Sequence, residues 1–186
     1  VLSAYNVVIW YTGTDGVNLY LWDQASDTLD YKFNQALIQY IDLGGAVWLQ
    51  GTDFMYDVFG GAPDTFAEGQ FVYDYIGISN YAAQSHADAG HTGLLQIDVV
   101  PENDICELTP MRFNNTGYHD TLRYADGFEL APDVQPVYKM GPTGYMFDYL
   151  YSGMMNTVGN SHILTFAVET ARFDTRENTE TLFGEV

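Results

Sequence analysis

The first half of the chain is marked by short apolar runs separated by glycine. Tyr5-Asn6-Val7-Val8-Ile9-Trp10 is β-rich and apolar at consecutive positions, which predicts a strand buried on both faces, as in a parallel sheet. Thr12-Gly13-Thr14-Asp15-Gly16 then reads as a loop. From Tyr31 to Asp42, Phe33, Leu37, Ile38 and Ile41 fall on one face of a helix, and Gly44-Gly45 supplies a left-handed C-terminal cap. Ala46-Val47-Trp48-Leu49 predicts a second buried strand, and a further helix is expected after Gly51, running to Phe59 and ending at Gly60-Gly61. The order strand, helix, strand, helix predicts a parallel sheet with crossover helices.

Beyond Phe71 the pattern changes. Phe71 to Ile76 continues as helix into Gly77, and Leu94 to Val100 alternates like a strand through Leu95, Ile97 and Val99. Asn114 to Asp133 is polar, aromatic and dotted with glycine, the texture of a long surface excursion. Val134 to Met140 and Tyr145 to Tyr151 read as strands around a hairpin turn at Gly141-Pro142-Thr143-Gly144, Ile163 to Val168 as a last strand, and Glu177 to Val186 as a helix. No internal repeat or linker divides the 186 residues, so residues 1–186 are expected to form a single domain. The opening on Val1, directly before an apolar run, reads as a piece of a longer protein.

Composition narrows the function classes. There are 25 acidic against 6 basic side chains, a formal charge of −19. A body this negative repels nucleic-acid phosphates and anionic lipid, so neither partner is expected. Cation binding or a saline, extracellular or periplasmic setting suits the charge, as does plain solubility. No run reaches the ~18 to 20 apolar residues of a membrane span. The lone cysteine, Cys106, lies between Ile105 and Leu108 in the manner of a small buried hydrophobe, and it excludes an intrachain disulfide. No cofactor motif is present, and none is expected to bind.

Three segments, in order, resemble the class I glutamine amidotransferase fold, a flavodoxin-like α/β architecture. Tyr5 to Gly13 is similar to that family's strand and glycine loop. Val47-Trp48-Leu49-Gln50-Gly51-Thr52-Asp53, continuing to Gly60-Gly61, is similar to its nucleophile elbow and the helix that follows. Thr165-Phe166-Ala167-Val168-Glu169 is similar to its C-terminal base motif. The resemblance implies a mostly parallel sheet flanked by helices, with antiparallel strands added in the C-terminal half and the N-terminal strands of the parent fold missing. It also implies a degenerate catalytic centre: Leu49 at the nucleophile position, Ala167 at the general-base position, and Glu169 as an orienting acid with no base to orient. Leucine cannot attack a carbonyl and alanine cannot take a proton. The opening resembles, in addition, a domain that recurs in secreted multidomain bacterial proteins and peptidases.

Other residues could carry chemistry. Thr12, Gly13, Gly51, Thr52 and Asp53 gather where two strands of such a sheet would end, the usual ligand position of open α/β sheets. Asp53 also suits a helix N-terminus, with Asp57 on the same helix. His86, Asp88 and His91 share a short loop, read either as solvated or as a grip for a metal ion. His119 and His162 have no motif around them. The aromatic stretch from Phe113 to Phe128, with Tyr118, Tyr124 and Asp126, either packs a long loop onto the core or stacks on sugar rings.

These readings lead to a non-catalytic, structural or interaction module of a larger bacterial protein, with other domains of the same polypeptide as partners. The alternatives are a hydrolase whose chemistry has moved to Asp53, Glu169 or the His86/His91 loop, and a carbohydrate- or cation-binding module. If the strand before it is missing, Tyr5 to Trp10 is an open edge, and such edges recruit another chain. A homodimer through this edge is one expected outcome; cover by a later strand such as Leu94 to Val100 is the other.

Overall fold

The computed structural model describes residues 2–14, 16–17, 19–23, 33–103, 109–113 and 122–185. A 3₁₀ turn at Leu2–Ala4 leads into β1 (Val7–Gly13), then α1 (Gln35–Asp42), β2 (Ala46–Gly51), the short α2 (Tyr56–Phe59) and β3 (Asp64–Thr65). A π-helical turn at Val72–Ile76 precedes β4 (Ile78–Gln84), β5 (Gln96–Val99), β6 (Met111–Arg112), β7 (Asp126–Leu130) and β8 (Gln135–Gly141). The chain finishes with β9 (Tyr151–Val158), β10 (Ser161–Phe166), a 3₁₀ turn at Thr170–Arg172 and α3 (Arg176–Glu185).

Local chemistry accounts for the first unit. The Asn34 side chain caps α1 by accepting from the Leu37 N–H at 2.9 Å, and its amide donates to Leu21 O at 2.8 Å. Leu37, Tyr40 and Ile41 form the buried face of α1. Gly44 then takes the left-handed φ of 93° that turns the chain into β2. β2 pairs parallel with β1 and parallel with β10.

Those two are the parallel pairings. Every other ladder of the described strands is antiparallel: β9 with β10, β7 and β8; β4 with β3 and β7; β5 with β6 and β8. The expected α/β architecture, a mostly parallel sheet flanked by helices, is therefore corrected. The fold is sheet-rich and mostly antiparallel, with a sandwich-like build. The pattern of β1, α1 and β2 does not dominate the sheet: the antiparallel strands expected only as additions in the C-terminal half make up most of it.

The sheet runs β1-β2-β10-β9-β7-β4-β3, and a second limb, β8-β5-β6, branches from β9. Burial on both faces explains the strand sequences. Val47 and Leu49 on β2, with Ile163 on β10, point into one hydrophobic cluster with α1. Trp48, Leu164 and Phe166 point into another, shared with Ile97, Met111, Val137, Tyr138 and Met140 of the branching limb. Alternate residues of the same strand thus feed opposite cores.

Several segments differ from expectation. β4, β7 and β9 are strands where none was predicted. β7 lies within the stretch read as a surface excursion, yet Asp126, Gly127 and Phe128 are buried. Tyr145 to Leu150 forms turns, and the strand begins only at Tyr151. β1 is not buried on both faces: its burial alternates, with Val7, Ile9 and Tyr11 exposed. Cys106, Tyr118 and His119 lie outside the described residues.

β9 carries the branch, and it must be thin where it does so. A β-carbon at Gly153 would stand 2.9 Å from Phe166 Cδ1 and 3.1 Å from Tyr138 Cβ, so the second hydrophobic cluster, which holds both residues, closes on this glycine. Gly153→Val is expected to cost about 1–3 kcal/mol from overpacking, read as a lower urea midpoint with an unchanged slope. An unaltered midpoint would mean that the strands do not meet here.

Candidate functional site

The C-terminal ends of β1 and β2 lie side by side, and the structure brings five sequence-predicted residues together there. Thr52 N–H donates to Gly13 O at 2.9 Å, closing the two strand ends. The Thr12 hydroxyl reaches Gln50 O at 3.4 Å. Gly51 has φ 148°, and a β-carbon on it would run into the Thr12 hydroxyl and stand 2.9 Å from Gly13 O; only glycine fits between the two chains. Asp53 follows with a left-handed φ of 61°, uncommon for a residue with a side chain and tolerated best by Asp and Asn.

That backbone turn sends the Asp53 carboxylate inward. The Gln84 side-chain amide donates to Asp53 Oδ1, and a β-carbon at Gly16 would collide with the same carboxylate, so the loop after β1 lies directly on it. The reading of Asp53 as a helix cap is corrected: the residue at the N-terminus of α2 is Met55, without a side-chain cap. Asp57 accepts from Leu19 N–H at 3.2 Å.

Sequence reasoning missed the deepest member of this cluster. Asp126, paired with Gln84 across β7 and β4, is fully buried. Its Oδ2 accepts from Met55 N–H at 3.3 Å, while Oδ1 has no hydrogen-bond partner. Burial, and then the charge of Asp53, push the Asp126 carboxyl well above the usual carboxylate range; the Met55 N–H and the polar heads of Tyr81 and Gln84 only partly offset this. Burial, followed by Asp126, raises the buried Tyr81 phenol as well. The signal in the sequence is a strand-like run within Tyr124 to Leu130, with Ala125, Asp126 and Phe128 buried and Glu129 exposed, inside the stretch read as a surface excursion.

The remaining predicted positions separate from this cluster. Leu49 and Ala167 are both buried in the first hydrophobic cluster, and Ala167 N–H donates to Ser152 O at 2.8 Å. They are packing residues. Glu169 lies near the end of β1, where the Tyr11 hydroxyl donates to it and Arg172 Nε stands 3.6 Å away. Burial and then Glu169 raise the Tyr11 phenol above its ordinary range. His86 and His91 come together in the turn after β4, with ring centroids 5.1 Å apart. Asp88 turns back instead and accepts from Gln84 N–H at 2.7 Å. His162 pairs with Thr157 at 3.3 Å. A separate cleft of about 350 Å³, walled by Phe33, Ile38, Phe59, Phe71 and Tyr75, holds none of the predicted residues.

No family model and no curated relative matches the chain. Among solved structures, the chain is similar to the polyextremophilic β-galactosidase from the Antarctic haloarchaeon Halorubrum lacusprofundi, with a TM-score of 0.55 and 14% identity. The match covers 99% of this chain but 22% of that one. At that identity the likeness concerns the fold alone. Together with the mostly antiparallel sheet, it overturns the resemblance to glutamine amidotransferases and the flavodoxin-like reading. With them goes the basis for treating Leu49, Ala167 and Glu169 as remnants of a catalytic triad.

The buried carboxyl has a consequence for stability. Its value in the folded protein lies above the ordinary 3.8, so folding favours the protonated form. That contribution is complete at pH values below the unfolded value and is lost as pH rises through the folded one. Asp126→Asn keeps an acceptor for Met55 and cannot ionise. As pH rises above about 4, the wild-type melting midpoint is therefore expected to fall relative to that of the variant, levelling once the acid is ionised. Parallel curves would contradict the assignment.

Proposed function

We propose that this chain is a non-catalytic interaction domain of a larger protein, and that it docks through β1 onto a second copy of itself. The observation that carries this reading is the exposed face of an edge strand. β1 ends the sheet order and pairs only with β2 among the described strands. Tyr5, Val7, Ile9 and Tyr11 stand 65%, 58%, 52% and 49% exposed, so every second residue presents apolar surface to solvent. The expected cover by Leu94 to Val100 is not made, since β5 pairs with β6 and β8.

The patch extends past the strand. Ile9 is the register partner of Trp48, and the half-exposed Phe183 of α3 packs on Trp48 with ring centroids 4.7 Å apart. Residues 2–14 contain no charged side chain, on a chain of net charge −19. β1 itself therefore brings no charged side chain to a second copy, the nearby Glu169 being held by the Tyr11 hydroxyl, and burying the exposed half of Val7 or Ile9 is worth about 1 kcal/mol each. An edge strand also offers unpaired backbone groups to a partner strand. The likeness of nearly the whole chain to 22% of a β-galactosidase supports the reading as one part of a larger protein. No helix of the described residues is long and apolar enough to cross a membrane.

Salt gives the test its direction. Repulsion between two bodies of this charge opposes the dimer, and salt screens it, with a Debye length of about 3 Å at 1 M. Sedimentation in high salt is expected to show a dimer that dissociates on dilution and weakens as salt is removed. Ile9→Lys should leave a monomer with a melting midpoint close to wild type, because the residue is exposed. A strict monomer at every salt and protein concentration would overturn the proposal.

A further inference from the structure

We propose that His86 and His91 form a two-imidazole site for a borderline transition-metal dication such as Zn²⁺ or Ni²⁺, outside the β1 face and the Asp53–Asp126 cluster. The ring centroids are 5.1 Å apart with planes at 59°, so the two rings are tilted to each other rather than stacked. Metal–nitrogen bonds of about 2.0–2.1 Å place each centroid ~3.2 Å from the metal, and two imidazoles at a tetrahedral angle then stand ~5.2 Å apart. The observed centroid spacing matches that distance.

The backbone holds the rings in place. His86 and His91 both adopt left-handed conformations, φ 73° and 67°, which side-chain-bearing residues keep only where the surroundings impose them. The turn is closed by His91 N–H to His86 O at 2.9 Å and His86 N–H to Thr92 O at 3.0 Å. Behind it, the fully buried Ser85 binds the neighbouring loop: its hydroxyl donates to Leu122 O at 3.2 Å and accepts from Ala125 N–H at 2.9 Å. Tyr124, itself left-handed at φ 59°, lies against His86 with ring centroids 5.2 Å apart. His91 is exposed and His86 half-buried, so a hydrated ion has access.

Among the described residues no group of three or more His, Cys, Asp or Glu side chains is placed to hold a metal. The remaining coordination positions belong to water, which suits loose, exchangeable binding rather than a structural ion. Asp88 lies in the same turn but directs its Oδ2 back to Gln84 N–H. The strongly negative surface raises the local concentration of dications, while imidazole selects Zn²⁺ and Ni²⁺ over Mg²⁺.

The test uses the metals alone. Zn²⁺ is expected to raise the wild-type melting midpoint more than equal Mg²⁺, by mass action on the folded state. His86→Asn and His91→Asn retain a residue that tolerates the left-handed turn, and should weaken apparent affinity about tenfold or more; Asp88→Asn should keep the Zn²⁺ shift. In the unmodified protein, substoichiometric Ni²⁺ should broaden the ring resonances of His86 and His91 first and leave His162 sharp. A Zn²⁺ shift equal to that of Mg²⁺ or unchanged in the histidine variants, or broadening that spares both rings, would overturn the site.

Discussion

The structure depends on β9 serving three neighbours at once. It pairs with β10 from Gly153 to Val158 and with β8 along its other edge, while β7 meets it at Tyr151. Through β10 it connects to the parallel strands β1 and β2, through β7 to β4 and β3, and through β8 to the limb that closes the second core. A strand in that position is buried on both faces, and its side chains have to be accommodated from both. Gly153, Met154 and the buried Ser152 reflect this: no side chain, a flexible one and a small one occupy its centre.

The parts of the fold legible in the sequence were those whose neighbours are local. β1, α1 and β2 form one right-to-left reading of strand, glycine-capped helix and strand, and their apolar periodicity is set by packing within that unit. β8 and β10 were legible because Val137, Tyr138 and Met140, or Ile163, Leu164 and Phe166, are continuous apolar runs. β7 and β9 were not. Asp126-Gly127-Phe128-Glu129-Leu130 starts with an acid and a glycine, residues depleted in strands, and only pairing with β4 makes that segment extended. Tyr151 to Val158 owes its central glycine to crowding by Phe166 and Tyr138, which no local pattern reveals. The parallel architecture inferred from the first 60 residues is therefore real at β1, β2 and β10 and gives way to antiparallel pairing elsewhere.

The strand-end cluster was half visible. Thr12, Gly13, Gly51, Thr52 and Asp53 were marked by their place after two predicted strands, and β1 and β2 do bring them together. Gln84, Tyr81 and Asp126 arrive from β4 and β7, so their approach to Asp53 waited on strands the sequence did not disclose. The fate of Leu49 and Ala167 illustrates the opposite error. Motif spacing gave them a chemical past, whereas their surroundings, a hydrophobic cluster with Val47, Met154 and Ile163, need only apolar side chains of that size.

The pairing of an uncharged, apolar edge strand with a body of net charge −19 is the feature that most needs a partner to make physical sense. Hydrogen exchange resolved along β1 tests this most directly. At high salt, the amides of Val7 to Thr12 that face away from β2 should gain protection as protein concentration rises, while those of the buried strands β2 and β10 stay constant. Exchange of the β1 amides that is independent of concentration and salt would contradict the account.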